Sequence, residues 1–535
     1  MGTLYASQAI ANYNDDAPPD DGSKTSLNQL SWAKHISEIG NPIKAYVDSV
    51  NTALVNYVDI VPNAKATDYT TVADDHNRVI ETTATTTITL AAVAIGAGYK
   101  VTIKNAGTGI VTVDATGTET IDGSTTAREI GPLQSETYQI NAAGTGYFTL
   151  NRQDDRRVID VVKMLGVSNT FGADIDALVQ AAIDDLTALT AGGVVYFPPG
   201  QYRSDAGLEI KANVAIKGAG RYYSQIYANN NSMDVISFTQ TADATANFFH
   251  VEGLAIGSNN KTGVKLIDLY GKDTTYRLSG LTLRDLYLTG STNNASYGID
   301  LGYCANTDVS HVYMIQCATG IRLNICADTD LEMMKVQLGT GVGFQVVGDG
   351  TPSGRTTAAD EGLRITNCST NGQAQGLEAT GADFGKVSAS SFTTAPNGPA
   401  VLTNCWHWSF SATEFAETTY QSTVLNQAGL NLDSNCYNVK ATGCYFGLND
   451  FGIDAEGTDH TFSDNFFEGS DDTDVSISGS GIGVMDNRCA STGASFSIVE
   501  QAGSDNNIVD GNRCSKTIVY NGGSATIQGN NLENI

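Results

Sequence analysis

The sequence predicts a mainly β protein whose C-terminal two-thirds is a stacked solenoid, and three observations carry that prediction. Similar short segments recur, among them Leu281-Thr-Leu-Arg-Asp-Leu-Tyr-Leu, Val309-Ser-His-Val-Tyr-Met, Met333-Met-Lys-Val-Gln-Leu, Phe462-Ser-Asp-Asn-Phe-Phe and Ile508-Val-Asp-Gly-Asn-Arg-Cys. Aligned on one apolar residue each, they give a ladder through Leu254, Leu286, Val312, Val336, Cys368, Phe392, Phe415, Phe446, Phe467, Cys489, Cys514 and Leu532, with steps of 32, 26, 24, 32, 24, 23, 31, 21, 22, 25 and 18 residues. A period in the low twenties that tolerates insertions marks a solenoid with one coil per repeat. Composition agrees, since 56 Gly and only 16% charged residues in a chain of 535 favour turns and strands, and the length exceeds one compact domain.

Four stretches follow in order. Residues 1–66 begin with an arm lacking an apolar period, then carry Trp32, Ile36, Ile39, Ile43, Val47, Val50, Leu54 and Val58 at intervals of three and four, which predicts two short amphipathic helices broken at Gly40-Asn41-Pro42. Each has one apolar face too small to bury alone, so they are expected to pack on copies of themselves or on a larger assembly. Residues 67–153 alternate apolar with polar, as in Tyr99-Lys-Val-Thr-Ile-Lys-Asn and Ile110-Val-Thr-Val-Asp, and predict a small antiparallel β-sandwich or barrel. Residues 154–220 hold a helix over Ala173–Leu189, with Ile175, Leu178, Ala182, Ile183, Leu186 and Leu189 on one side and Asp174 as its N-cap. That helix is placed to plug the open apolar end of the solenoid, which occupies 221–535.

The formal net charge is −28, from 58 acidic and 30 basic residues. Such a field repels phosphate backbones and anionic lipid, so nucleic acid and membrane insertion are not expected. A neutral sugar polymer is compatible with it; an anionic one needs local basic groups to override it. The start, Met1-Gly-Thr-Leu-Tyr-Ala-Ser-Gln, lacks the basic and apolar runs of a signal peptide, and synthesis in a cytoplasm is expected. Nine Cys occur without C-x-x-C spacing, and Cys368, Cys489 and Cys514 fall on the ladder, where they act as small buried hydrophobes. No cofactor or metal is expected; Asp328-Thr-Asp-Leu-Glu332 offers close oxygen ligands without the Gly turn of a calcium loop.

Asp176-Ala-Leu-Val-Gln-Ala-Ala-Ile, then Gly192-Gly-Val-Val-Tyr-Phe-Pro-Pro-Gly-Gln-Tyr202 and Ile216-Lys-Gly-Ala-Gly220 resemble the entry to the pectate-lyase-like right-handed parallel β-helix, in the version found in bacteriophage tailspikes and capsule depolymerases. The resemblance is specific over 154–220 and continues as coil spacing. Ala11-Asn-Tyr-Asn-Asp-Asp-Ala-Pro-Pro-Asp resembles the N-terminal arm of phage tail proteins, and Val101-Thr-Ile-Lys-Asn-Ala-Gly-Thr-Gly resembles a small β module of tail fibres. The resemblance implies a homotrimer in a virion tail, docked on a baseplate or other virion protein through residues 1–66. Its β-helices would recognise, and often cleave, a host capsular, O-antigen or exopolysaccharide. Family membership alone does not assign catalysis, so the chemistry is sought in the site.

Columns at fixed offset from the ladder gather ionisable and aromatic groups on one stretch of wall. Four residues before it stand Thr282, Asp308, Glu332 and Arg364; one before, Asp285, His311, Lys335 and Asn367; one after, Tyr287, Tyr313, Gln337 and Ser369. Asp308 and Glu332 are the candidate acid and base or nucleophile of a glycosidase. For a lyase the same patch offers Arg364 or Lys335 to neutralise a uronate, with His311 or Tyr313 to remove the proton. The bland alternative is a solvated ion-pair ladder. A second candidate, Cys405-Trp-His-Trp-Ser with Glu414, Glu417 and Tyr420, offers Trp406 and Trp408 as platforms for pyranose rings, or else as core or trimer-interface residues. The sequence therefore frames two classes of function: an endo-acting depolymerase, and a receptor-binding or structural tail protein without chemistry.

Overall fold

A computed structural model describes residues 63–107, 110–131, 134–150, 157–187, 192–243, 246–290, 297–350, 362–417, 427–522 and 526–533. The expected N-terminal arm and helices, and Tyr420, lie outside the described residues. The chain divides into two compact units, Met1–Arg152 and Gln153–Ile535.

The first unit holds a six-stranded and a four-stranded sheet around Ile88, Val101, Ile103, Val113, Tyr138 and Tyr147. Antiparallel pairing is present between Lys100–Asn105 and Ser135–Ile140, and between Val111–Asp114 and Arg128–Ile130. Gly146–Thr149 also pairs antiparallel with Ser135–Ile140, and the remaining neighbours run parallel, such as Val79–Thr82 beside Lys100–Asn105. The expected small antiparallel β module is present, and its sheets also contain parallel neighbours. Up to Val111–Asp114 successive strands alternate between the two sheets, so strands consecutive within one sheet run the same way. In-out alternation is identical in parallel and antiparallel sheets and cannot tell them apart.

The second unit is a three-walled parallel β-helix. Wall one has 17 strands, starting at Arg157–Asp160; wall two has 15, starting at Thr170–Asp174; wall three has 13, starting at Leu208–Glu209. At its N-terminal end lies helix α1, Asp176–Thr187, whose Val179, Ala182, Ile183 and Leu186 are buried, three of them joining Val195, Phe197 and Val214 in the core. Leu178, expected inside, is half exposed; Val179 takes its place. The helix starts at Asp176, and Asp174 accepts from its N–H at 3.3 Å. Asp176 itself ties the helix down, accepting from Ser204 Oγ at 2.7 Å and from the backbone N–H of Asp205 and Ala206.

Walls one and two meet at a corner of fixed form: one residue at positive φ, then one pointing inward, then the wall-two strand. Asp285, His311, Met333, Asn367, Ala389 and Ala412 hold the positive-φ place, with φ between 46° and 56°. The inward residue after it changes character along the axis. Leu254, Leu286, Val312 and Met334 are apolar; Asn465, Asn487, Asn512 and Asn531 form a ladder in which each side-chain oxygen accepts the backbone N–H of the corner residue one coil before, Cys444 for the first and an Asn for the others, at 2.9–3.0 Å. Each stacked amide thus pairs a corner N–H that would otherwise be buried alone.

Two residues further on, wall two stacks Ile256, Leu288, Met314, Val336, Thr370, Phe392, Phe415, Phe446, Phe467, Cys489 and Cys514. The ladder read from sequence mixes these two inward columns: Leu254, Leu286, Val312 and Cys368 belong to the corner, the Phe residues to the wall. A slip of two keeps a residue inside but moves it to another column. Leu532 slips by one, pairs with Arg513 and is exposed. Wall three accommodates the large wall-two residues by glycine: a Cβ on Gly320, Gly343 or Gly452 would come within 2.5 Å of Val336, Thr370 or Phe467.

Candidate functional site

The true register redistributes the residues singled out from sequence. In wall one Asp308 stacks on Thr282 and Asp330, and Asp330 on Arg364. Glu332 lies two positions on, against Ser310 and Thr366. Asp308 and Glu332 are therefore not a stacked pair, and Arg364 is engaged by Asp330, its Nη2 at 2.8 Å from Oδ2. Asp285 and His311 sit on the corner, where Arg221 reaches both: its guanidinium is 3.4 Å from the Asp285 carboxylate and donates to the His311 carbonyl at 2.9 Å.

Tyr287, Tyr313 and Lys335 do share one outward column of wall two. The rings of Tyr222, Tyr287 and Tyr313 follow one another at centroid distances of 5.6 and 5.3 Å, and the Lys335 ammonium lies 5.9 Å above Tyr313. Tyr313 also donates to Gln337 Oε1 at 2.7 Å. Tyr222, 57% exposed, opens this aromatic strip to solvent.

The tryptophan platform is corrected. Trp406 and Trp408 are buried, at 7% and 1% exposure. Trp408 donates through Nε1 to the Ala382 carbonyl at 3.1 Å, and its ring occupies the space that Gly385 leaves free. Glu414 does face outward, accepting from Ser391 at 2.7 Å, and Glu417 ends the strand at a positive-φ corner, accepting from Thr394 at 2.6 Å. All nine cysteines are buried and unbridged. Among the described residues no helix is long and apolar enough to cross a membrane, and no cluster of His, Cys, Asp or Glu is arranged to hold a metal ion.

The densest ionisable cluster lies on wall three and was missed from sequence. Its strands Lys265–Tyr270, Tyr297–Gly302 and Thr319–Asn324 stack Lys265 on Tyr297, Asp268 on Asp300, and Asp300 on Arg322. Asp300 is fully buried beneath its own partners. It accepts from Arg322 Nε at 2.8 Å, Arg322 Nη2 at 2.6 Å and Tyr270 OH at 2.9 Å, with Lys265 Nζ at 3.1 Å. Tyr297 closes the outer side, its ring centroid 4.5 Å from the Arg322 guanidinium. The Tyr270 ring lies over Gly302, where any Cβ would strike it.

The two stacked carboxyls are driven in opposite directions. Burial pushes Asp268 up to about 6, helped by the charges of Asp234 and Asp300 and opposed by Lys265, which donates to it at 2.9 Å. Burial acts the same way on Asp300, but the hydrogen bonds from Arg322 and Tyr270 and the charges of Arg322 and Lys265 outweigh it, so this carboxyl falls below its ordinary value. One rung thus carries a carboxylic acid that titrates near 6, and the next a fixed anion. Carboxyls held apart in this way divide into a proton donor and a charge-bearing partner. The sequence signal is a second repeat, Gly-apolar-x-apolar, in Gly298-Ile-Asp-Leu, Gly320-Ile-Arg-Leu, Gly343-Phe-Gln-Val and Gly376-Leu-Glu-Ala, whose variable residue is the outward one.

Residues 159–422 match the family described as rhamnogalacturonase A/epimerase, pectate lyase-like. Among solved structures, the A-module of the Azotobacter vinelandii mannuronan C-5 epimerase AlgE4 aligns with 70% of this chain and 97% of its own at 16% identity and a TM-score of 0.40. ORF18 of Geobacillus virus E2 aligns over 79% of this chain and 69% of its own, at 16% identity and a TM-score of 0.30. Tailspike protein 3 of bacteriophage CBA120 covers 71% and 63%, at 12% identity and a TM-score of 0.44. No curated protein matches the sequence. With its strands wound into three parallel walls and its family match over residues 159–422, the chain carries a pectate-lyase-like β-helix domain.

Proposed function

We propose that this protein is a phage tailspike or tail fibre that binds a host surface polysaccharide and cleaves it by acid–base chemistry on wall three. The observation that carries the chemistry is the stacked pair Asp268 and Asp300, one titrating near 6 and the other held anionic. Asp268 is the proton donor to the departing glycosidic oxygen, since a general acid works best with a pKa near the working pH. Asp300 is a positioning residue: it fixes Arg322 and Lys265, and its charge keeps the Asp268 proton in place. The aromatic strip Tyr222, Tyr287 and Tyr313 supports binding, because flat partly exposed rings offer apolar faces to pyranoses, and Lys335, Arg221, His311 and Asp285 supply polar contacts around it. A family described by a rhamnogalacturonase and an epimerase supports a polysaccharide as the ligand class. The tail role rests on the sequence resemblance of the arm and β module, which also supports a homotrimer docked on a virion protein.

A second reading, a receptor-binding tail protein without cleavage, is favoured by one observation: Asp300 is sealed by its own partners, as in a purely structural ion network. Polysaccharides from candidate hosts, incubated with the wild-type protein and with Asp268→Asn, distinguish the two. Shortening of a polymer by the wild type, reduced about 10²- to 10⁴-fold in the variant with binding retained, is the expected result. New ultraviolet absorbance from an unsaturated end would make the cleavage an elimination, and its absence a hydrolysis. A polymer that binds and is never shortened overturns the catalytic reading.

A further inference from the structure

The inward glycine column of wall three ends abruptly. After Gly452 the next coil places Asp474 at that position and the following one Ser497, while the facing wall-two residues shrink from Phe467 to Cys489 and Cys514. The room left by the smaller thiols is filled with polar groups. Asp474 is fully buried, and neither of its carboxyl oxygens has a hydrogen-bond partner. The hydroxyls of Ser470, Ser491 and Ser497 are its polar neighbours, and their hydrogen-bonding pull on the carboxyl opposes the effect of burial. Ser470 Oγ is itself unpartnered, whereas the Ser491 and Ser497 oxygens each accept one backbone N–H, from Ser470 at 2.9 Å and Lys516 at 3.1 Å. No Lys, Arg or His is among the groups acting on Asp474.

A buried carboxylate without a counter-charge is strongly unfavourable, and buried polar atoms in folded proteins are almost always paired with protein, water or an ion. Two carboxylate oxygens and a neighbouring hydroxyl oxygen, all buried and unpartnered, are the donors a bound ion would take. Its donors are hard oxygens, which excludes metals that prefer nitrogen or sulfur. Calcium sites gather several carboxylates, whereas a single carboxylate here balances a single charge. We propose that Asp474, with Ser470, Ser491 and Ser497, forms an internal site for a dehydrated monovalent cation of the sodium class, which ties walls two and three together in the C-terminal coils.

Thermal unfolding of the full chain at pH 7.5, in sodium chloride against choline chloride at equal ionic strength, tests the site. A sodium-specific rise in Tm of about 2 °C or more is expected in the wild type, and none in Asp474→Asn. Crystals grown in rubidium chloride give a second readout that needs no variant: an anomalous peak beside Asp474. Equal Tm in sodium and choline, an undiminished sodium effect in Asp474→Asn, or no rubidium peak each overturns the proposal. A response to calcium chloride alone overturns the monovalent assignment.

Discussion

Walls two and three carry the two most chemically loaded strips on the outside of this β-helix, and they are built in opposite ways. On wall three, charges are stacked in register and sealed by their own partners, so that Asp300 is fully buried although it faces outward. On wall two the strip is a run of tyrosine rings at 5.3–5.6 Å, open enough that Tyr222 is 57% exposed. The difference separates two tasks. A closed, desolvated network can shift pKa values and hold a proton, whereas an open aromatic strip offers area without changing protonation.

The largest way to break this contrast is Asp300→Ala. It leaves Arg322, Lys265 and Tyr270 facing one another without their shared acceptor, and removing one partner of a buried ion pair costs about 3–5 kcal/mol. Arg322 and Lys265 keep roughly a quarter of their side-chain surface exposed and can turn outward, so the low end, about 3 kcal/mol, is expected. Thermal or urea unfolding measures it. The exposed tyrosine strip of wall two contains no buried ion pair and offers no change of that kind.

Asp268→Asn comes next and acts on pH dependence. Because the folded pKa is raised to about 6, above its unfolded value near 3.8, Asp268 favours the folded state fully below pH 4 and loses that contribution as pH rises through 6. The variant should therefore flatten the stability-against-pH curve between about pH 4 and 6, by on the order of 3 kcal/mol, and gain relative to wild type at pH 7. Unfolding midpoints at a series of pH values decide it. A curve that keeps its shape would mean that Asp268 titrates as an ordinary exposed acid, and wall three would lose its claim to the chemistry.

Much of this architecture was legible in the sequence, and the failures have a common cause. A period in the low twenties and in-out alternation are backbone properties, so the solenoid, its buried ladder and the capping helix could be read directly. Register could not. Leu286 and Leu288 are both inward, two residues apart, and nothing local says which one stacks on Met314. That slip separated Lys335 from the tyrosines it joins and set Asp308 over Glu332, when Asp330 is its true neighbour. The wall-three cluster escaped because Asp268, Asp300 and Arg322 each stand alone between apolar residues; only stacking brings them together. Trp406 and Trp408 misled because an aromatic platform and an aromatic core residue have the same sequence signature, and it is Gly385 that makes room for Trp408 inside.

The smaller effects belong to wall two, and a pair of tyrosine variants resolves what its strip does. Tyr287→Ala removes the middle ring, which touches both Tyr222 and Tyr313, and should weaken polysaccharide binding by about 1–2 kcal/mol, roughly 5- to 30-fold in Kd. Tyr313→Phe keeps the ring and its place under Lys335 and loses only the hydroxyl that donates to Gln337. A half-exposed hydrogen bond of this kind contributes about 0.5–1 kcal/mol, so a stacking strip should tolerate the change within about fivefold. Direct titration of both variants with the same polymer separates the alternatives. If Tyr313→Phe costs as much as Tyr287→Ala, the hydroxyls and not the ring faces engage the ligand. Wall two would then be a hydrogen-bonding site, and its contrast with wall three one of degree. If neither variant changes affinity, the polymer does not lie on wall two, and binding and chemistry would have to share wall three.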